Sequence, residues 1–457
     1  MYEEVGTNLI MKKFLDRLTP PQILTFGFLV IIATGTLLLM TPMAHQHGIR
    51  VSFIDALFTA VSATAITGLT TLNTANTWSY FGQIVILLMI EVGALGFMTF
   101  TVLLLTITRQ KIDLKARLLM QDALNLRNLA DVKVMLTYVF SLSAIIQVAG
   151  ALLLSFDFIP RFGVGKGIYF SVAHSISAFG NAGFTFFAQP VSMFKNDAYV
   201  LIVWMLLILA GSLGFLVWRD LLSYGKHHRR LSLHTRLSLV TSGWLILFGF
   251  IGFMITERCL NHLTGVNLWD RILDTLFLSI VPRTAGFEVI PMSTISTGGL
   301  LILMVLMFIG GTPGSTSGGI KTTTLGILWL QSVATLRGQD HVNFRDRQIS
   351  QKNVIKALML AVVSIGFVLF ATLILTQTET IPHGFGIEYI TFEVIAAFST
   401  AGFSLGLTPH LTVIGKIVIM FVMFIGRVGI YTVMFSVLNI HQQPMHHQYP
   451  TEEIMIG

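Results

Sequence analysis

One cysteine, Cys259, stands among 457 residues, so no intrachain disulfide framework holds this chain together. Charge is scarce as well. Asp, Glu, Lys and Arg make up 11% of the chain, against roughly 25% in soluble domains, which excludes an ordinary water-soluble globular fold. No HExxH and no GxSxG occurs, and the apolar segments carry no cluster of carboxylates, so the chain is not expected to be an enzyme. His227, His228, His446 and His447 fall on loops or the tail and read as solvated, not as metal ligands. A phosphate cradle is missing too. A Walker loop needs a strand ahead of it and glycine directly before its lysine, whereas Ile320 separates Gly319 from Lys321 and the preceding run reads as membrane helix. The polar start of the chain has no small-residue cleavage site, so no signal peptide is expected.

Hydrophobicity is what the chain has in abundance: 54% of residues are hydrophobic and mean hydropathy is +0.77. Apolar runs fall at 23–40, 84–106, 134–154, 198–217, 237–255, 300–336 (with an interruption), 357–375 and 413–438. Each is near or above the ~20 residues that a helix needs to span a bilayer, which predicts eight spans. A net charge of +7 would suit nucleic acid, but the basic residues are confined to particular loops. Lys12, Lys13 and Arg17 precede the first run. Arg109, Lys111, Lys115, Arg117, Arg127 and Lys133 separate the second and third; Lys226, Arg229, Arg230 and Arg236 the fourth and fifth; Arg337, Arg345, Arg347, Lys352 and Lys356 the sixth and seventh. All four groups fall on one side. That pattern predicts a multi-pass membrane protein with both termini cytoplasmic and no nucleic-acid partner.

The connections on the other side repeat. FIDALFTAVSATAITGLTT, GIYFSVAHSISAFGNAGFTF, ILDTLFLSIVPRTAGFEVI and YITFEVIAAFSTAGFSLGLT align on Gly68, Gly183, Gly286 and Gly402, with Thr67, Ala182, Ala285 and Ala401 before them and Leu69, Phe184, Phe287 and Phe403 after. The copies recur at spacings of about 103 to 116 residues, which argues for repetition of a whole unit. A weakly amphipathic stretch of ~12 residues precedes each glycine, too short to span and suited to a re-entrant half-helix. Irregular backbone at membrane depth needs protein cover or a water-lined cavity. Four copies in one chain can surround a single axis, each short helix pointing its negative end inward and each glycine segment presenting carbonyls that replace water around a cation. The expected fold is an all-α integral membrane protein: four M1-P-M2 hairpin repeats, eight transmembrane helices plus four re-entrant pore helices, around one pseudo-fourfold pore. The expected divisions are a cytoplasmic N-terminus at 1–21, repeats at 22–115, 116–225, 226–340 and 341–440, and a cytoplasmic tail at 441–457. Small-residue pairs, Gly93/Gly96, Gly211/Gly214, Gly311/Gly314 and Gly426/Gly429, lie about 24 to 28 residues after the aligned glycines and read as helix-packing devices.

With "ITGL" at 66–69, "FGNAGF" at 179–184, "PRTAGF" at 282–287, "STAGF" at 399–403, "GSTSGGIKTTT" at 314–324 and "FIGRVG" at 424–429, the chain resembles the Trk/Ktr/HKT superfamily of potassium transporters, most closely the membrane subunit of bacterial Ktr systems (KtrB or KtrD type). The motifs span nearly the whole chain in order, and the short segment before the first run favours the eight-helix Ktr form. The resemblance implies K+ as the transported ion, Na+ as a candidate activating ion, residence in the bacterial cell membrane, and a selectivity filter at Thr67, Gly68, Ala182, Gly183, Ala285, Gly286, Ala401 and Gly402. It implies a movable gate where the sixth run is interrupted, at Gly310, Gly311, Thr312, Pro313, Gly314, Ser315, Thr316, Ser317, Gly318 and Gly319, flanked by Lys321. It also implies a homodimer on a cytosolic RCK-type ring (KtrA or KtrC type) that binds ATP and ADP, no nucleotide being bound by this chain, whose sequence after Leu438 is a short tail. The basic loops offer a docking face for such a ring or for anionic lipid. Departures from the family pattern stand at Glu91, Glu288 and Pro313; Glu288 is placed at the outer mouth, where a carboxylate concentrates cations.

Arg427, isolated in the last run, is costly in lipid unless paired. The carbonyls of the 310–319 loop, with the negative end of the interrupted helix, are the expected partners, so that Arg427 belongs to the gate and latches the loop closed; an acidic side chain such as Glu91, itself either functional or structurally paired, is the alternative. A secondary cation symporter with discrete ion sites at broken helices is the alternative reading, against which stand four parallel hairpin units.

Overall fold

The computed structural model describes residues 19–96, 131–227, 230–257 and 268–438. Cys259, the basic residues at 12–17 and 109–127, Arg229, His228, and the tail with His446 and His447 lie outside them, as does the boundary expected between 115 and 116. Each unit opens with a long apolar helix: α1 (Pro20–Leu39), α4 (Asp131–Phe162), α8 (Leu233–Thr256) and α12 (Gln351–Thr378). The short helices that follow are α2 (Phe53–Thr64), α5 (Val164–Phe179), α9 (Leu268–Ile280) and α13 (Glu388–Ser399). Among the described residues the four opening helices are long and apolar enough to cross a membrane.

The second long helix of each unit is shorter than its apolar run implies. These are α3 (Tyr80–Leu95), α6 and α7 (Ala198–Ser212, Phe215–His227), α10 and α11 (Thr297–Phe308, Thr322–Leu336), and α14 and α15 (Val413–Val428, Ile430–Leu438). Hydropathy runs straight through breaks that the backbone does not: α6 and α7 meet at 100°, and α14 ends at Gly429 with φ 92°. Their starts follow one rule. Ser79, Asp197, Ser296 and Thr412 each accept a hydrogen bond from the backbone N–H three residues on, satisfying a donor that the helix leaves free. In the last two units the opening helix supplies a further hold, since Glu257 accepts from Ser296 Oγ at 2.7 Å and Glu379 from Thr412 Oγ1 at 2.6 Å.

The units close on one another in chain order. α3 packs on α5, α6 on α9, α10 on α13, and α14 returns to α2. An ion pair between Lys416 on α14 and Asp55 on α2, at 2.7 Å, marks the closure. Asp55 is held in the first turn of α2 by Ser52 and Thr71. A small hairpin, β1 (Asn343–Phe344) with β2 (Arg347–Gln348), joins the third and fourth units.

Candidate functional site

The short helices end alike. Thr67, Ala182 and Ala401 each donate a backbone N–H to the carbonyl five residues back, at 2.8 Å, on Ser62, Ser177 and Ala396. The residue just before each donor, Ile66, Asn181 or Thr400, has positive φ, at 51°, 55° and 57°. This is the Schellman helix end, whose left-handed residue is usually glycine or asparagine. The third unit varies it: Thr284 has φ 79° and Ala285 donates to Val281. Isoleucine and threonine are strained in that region, and such strain persists only where the surroundings enforce it. These four positions, two before each aligned glycine, had no mark in the sequence beyond their register.

The glycines come next. Gly68, Gly183, Gly286 and Gly402 have φ 85°, 70°, 63° and 76°, a region open to glycine at little cost. They form a ring in chain order. A Cβ on Gly68 would lie 2.5 Å from Ala182 O, on Gly183 3.1 Å from Ala285 O and on Gly286 2.9 Å from Ala401 O, while on Gly402 it would meet Thr67 O. The following residues, Leu69, Phe184, Phe287 and Phe403, are each 1% exposed and anchor the extended segment in the surrounding protein. All four glycines border one cavity of about 470 Å³, together with Glu288, Ser404 and Thr408. Burial pushes the Glu288 carboxyl up to about 6, while Met292 N donates to it at 2.9 Å.

The first glycine of three small-residue pairs has a specific duty. A Cβ on Gly93, Gly211 or Gly426 would meet the carbonyl of Thr64, Phe179 or Phe398, four residues before the aligned glycine of each unit. The second glycine stands at the helix break at Gly214 and Gly429, and at the helix end at Gly96.

The polar interruption spans 309–321, slightly wider than 310–319. Its neck is closed by a bridge between Ile309 and Ile320, and Lys321, at the start of α11, donates to Ser317 O at 2.6 Å. The loop leans on the α6–α7 bend: Thr312 and Thr316 donate backbone N–H to Ser212 O and Gly211 O at 3.0 and 3.2 Å, and Phe215 N donates to Gly314 O at 3.0 Å. A Cβ on Gly214 would strike Pro313 O, so the bend must carry glycine where the loop's proline passes. Asn181 Nδ2 donates to Ser212 Oγ, Thr316 Oγ1 and Ser317 Oγ at 3.0, 3.0 and 3.1 Å. Gly318 packs against Thr400, and a Cβ on Gly310 would lie 3.5 Å from Thr284 Cγ2. The loop therefore borders the residues that precede the glycines, and the cavity those that follow, on opposite faces of the ring.

Arg427 Nη1 donates to Thr316 O at 2.5 Å, and Nη2 to Gly93 O and, at 3.2 Å, Ala94 O. The guanidinium thus joins the loop to the carbonyl end of α3 in the first unit, not to the interrupted helix α10. Glu91, the other expected partner, is instead bonded by Gln147 Nε2 at 2.9 and 3.2 Å.

This arrangement defines a polytopic helical membrane protein in which four helix–re-entrant helix–helix units share one narrow axis. The chain belongs to the TrkH family, described as cation transport protein, whose family model matches residues 12–449. It is 45% identical over 453 residues to the potassium/sodium uptake protein NtpJ of Enterococcus hirae, covering 98% of this chain and 100% of that one. It is 37% identical to the Ktr system potassium uptake protein B of Bacillus subtilis, covering 96% and 97%. The crystal structure of the potassium transporter TrkH from Vibrio parahaemolyticus matches the fold with a TM-score of 0.69 at 18% identity, over 90% of this chain and 85% of that one.

Proposed function

We propose that this chain is the K+-translocating subunit of a Ktr-type uptake system in the bacterial cell membrane, with both termini cytoplasmic. The observation that carries the reading is the closed ring of four positive-φ glycines, each flanked by a neighbouring unit's carbonyl. Carbonyls so disposed replace the hydration shell of a monovalent cation. Residues 67–68, 182–183, 285–286 and 401–402 are the filter, Glu288 concentrates cations in the cavity at its outer mouth, and the loop at 310–319 is the gate. Support for the gate is its place against Asn181, Thr284 and Thr400 and its tie through Arg427. Na+ is the activating ion. The functional unit is a homodimer seated on a cytosolic RCK-type ring, and ATP and ADP act through that ring.

The test is K+ or Rb+ uptake in cells deficient in K+ uptake, with and without a regulatory ring subunit. Uptake that appears with the chain and responds to the ring supports the reading; no uptake in either case overturns it.

A further inference from the structure

Four arginines line one cleft at the basic end of the third unit. Arg230, just ahead of α8, and Arg236, in its first turn, border it with Arg345 and Arg347 of the β1–β2 hairpin; its volume is about 320 Å³, and Asp346 is its acidic lining residue. Among the described residues, none of the four guanidinium groups has an ion-pair partner. Like charges gathered in this way repel, so the cluster gains from an anion placed between them. The hairpin is fixed by packing. Val342 and Ile349, on either side of it, are buried, and Leu233 of α8 and Phe344 pack on the same small apolar cluster. Its turn is the pair Arg345 and Asp346, and Arg345 has φ 53°. Positive φ at the first position of a two-residue turn is ordinarily left to glycine. Arginine there holds a strained backbone angle and carries a guanidinium at the tip.

A second cavity, of about 530 Å³, adjoins the first. Arg230, Leu231, Arg236 and Arg345 border both, and Tyr224, Leu239 and Val240 complete the second. Val240 begins an exposed apolar face of α8 that continues through Trp244, Phe248 and Ile251, on a helix long enough to cross the membrane. A cationic cleft joined to an apolar groove at the membrane surface fits a ligand with the same two parts. We propose that Arg230, Arg236, Arg345 and Arg347 bind an anionic phospholipid of the cytoplasmic leaflet, its phosphate in the cleft and an acyl chain along α8 past Leu239 and Val240. The choice of leaflet rests on the topology proposed above. Guanidinium groups pair two N–H donors with phosphate oxygens, and basic pockets at this surface suit anionic headgroups. A soluble anion would use the cleft alone, and an acidic protein segment has no use for the groove. A lipid seated here ties the link between the third and fourth units to the start of α8.

The experiment titrates short-chain phosphatidylglycerol onto the purified full chain in detergent and reads the melting temperature, with phosphatidylcholine of equal chain length and glycerol phosphate in parallel. Phosphatidylglycerol should stabilise wild type saturably, phosphatidylcholine only weakly, and glycerol phosphate not at all. The double variant Arg345→Gln with Arg347→Gln should need about ten times more phosphatidylglycerol for half the shift, and Val240→Ser should also need more. Arg345→Gly separates charge from folding: glycine suits the positive φ, so this variant should keep its lipid-free melting temperature and still lose affinity. Equal shifts from the two lipids, or unchanged phosphatidylglycerol midpoints in the arginine variants, overturn the proposal. Glycerol phosphate acting as strongly as phosphatidylglycerol would make the cleft a soluble-anion site and overturn it as well. So would arginine variants that bind phosphatidylglycerol normally but no longer bind a ring subunit, which would mark a protein-docking patch. Wild type that takes up K+ without responding to phosphatidylglycerol leaves the transport reading standing while this site fails; a lipid response without uptake does the reverse.

Discussion

At the scale of single residues, backbone angle and side-chain size decide the ring. Serine at Gly68, Gly183, Gly286 or Gly402 must hold a positive φ and push its Cβ toward a neighbouring carbonyl or glycine. Each replacement should weaken K+ over Na+ discrimination and raise the K+ needed for half-maximal uptake. Competitive uptake assays check this, and unchanged discrimination in all four variants would count against the filter. Since no unit carries a TVGYG run, selectivity should be looser than in a K+ channel. Glu288 makes a pH-dependent prediction. Burial raises its carboxyl from the ordinary value of 4.5 to about 6, so the charged form dominates above that pH and the neutral form below it. Lowering external pH from about 7.5 to about 5.5 should remove the charge and reduce uptake at sub-saturating K+ by about two- to fivefold. Glu288→Gln should sit at the low level throughout and lose the pH step.

At the scale of elements, the proposed gate lies at the breaks in the second helices. Arg427 supplies donors to a loop carbonyl and to the carbonyl end of α3, where an unpaired buried acceptor is costly. Arg427→Ala and a shortened 310–319 loop should each raise flux per folded protein, by about ten- to a hundredfold if one charged hydrogen bond's worth of barrier is removed. The two should not add fully, because they disrupt one network. Flux in proteoliposomes measures this. A loop that merely fills space makes the opposite forecast, a void and less folded protein; equal or lower flux per folded protein in both single variants would establish it. The Asp55–Lys416 pair binds the last unit to the first. Asp55→Asn should destabilise the fold by about 1–3 kcal/mol, less than for a fully buried pair because both groups touch solvent. Lys416→Met added to it should cost little more, a cycle that thermal denaturation reads directly.

At the scale of the whole molecule, the proposed regulation by a partner can be tested. The purified chain should show the same flux with and without ATP or ADP, and should respond once a ring subunit is bound. Saturable ATP binding to the chain alone would overturn that assignment. Each second helix packs on the next unit's short helix, so the four glycine segments are joined to one another through the second helices.

Composition and spacing alone determined the membrane class, the repeated units, the aligned glycines and the polar interruption, because each rests on local chemistry: apolar length for a bilayer, glycine for positive φ, small polar residues for irregular backbone. Hydropathy was blind to the breaks at Leu213–Gly214 and Gly429, since a kinked apolar segment is as greasy as a straight one. Nor did it single out Ile66 or Thr400, residues whose own preferences oppose the angles they hold. Tertiary structure alone decided which carbonyls Arg427 meets, that Asn181 bridges the second unit to the loop, and that unit four closes on unit one through Asp55 and Lys416. Those contacts join residues more than a hundred positions apart, and no local preference encodes a partner that only folding brings near.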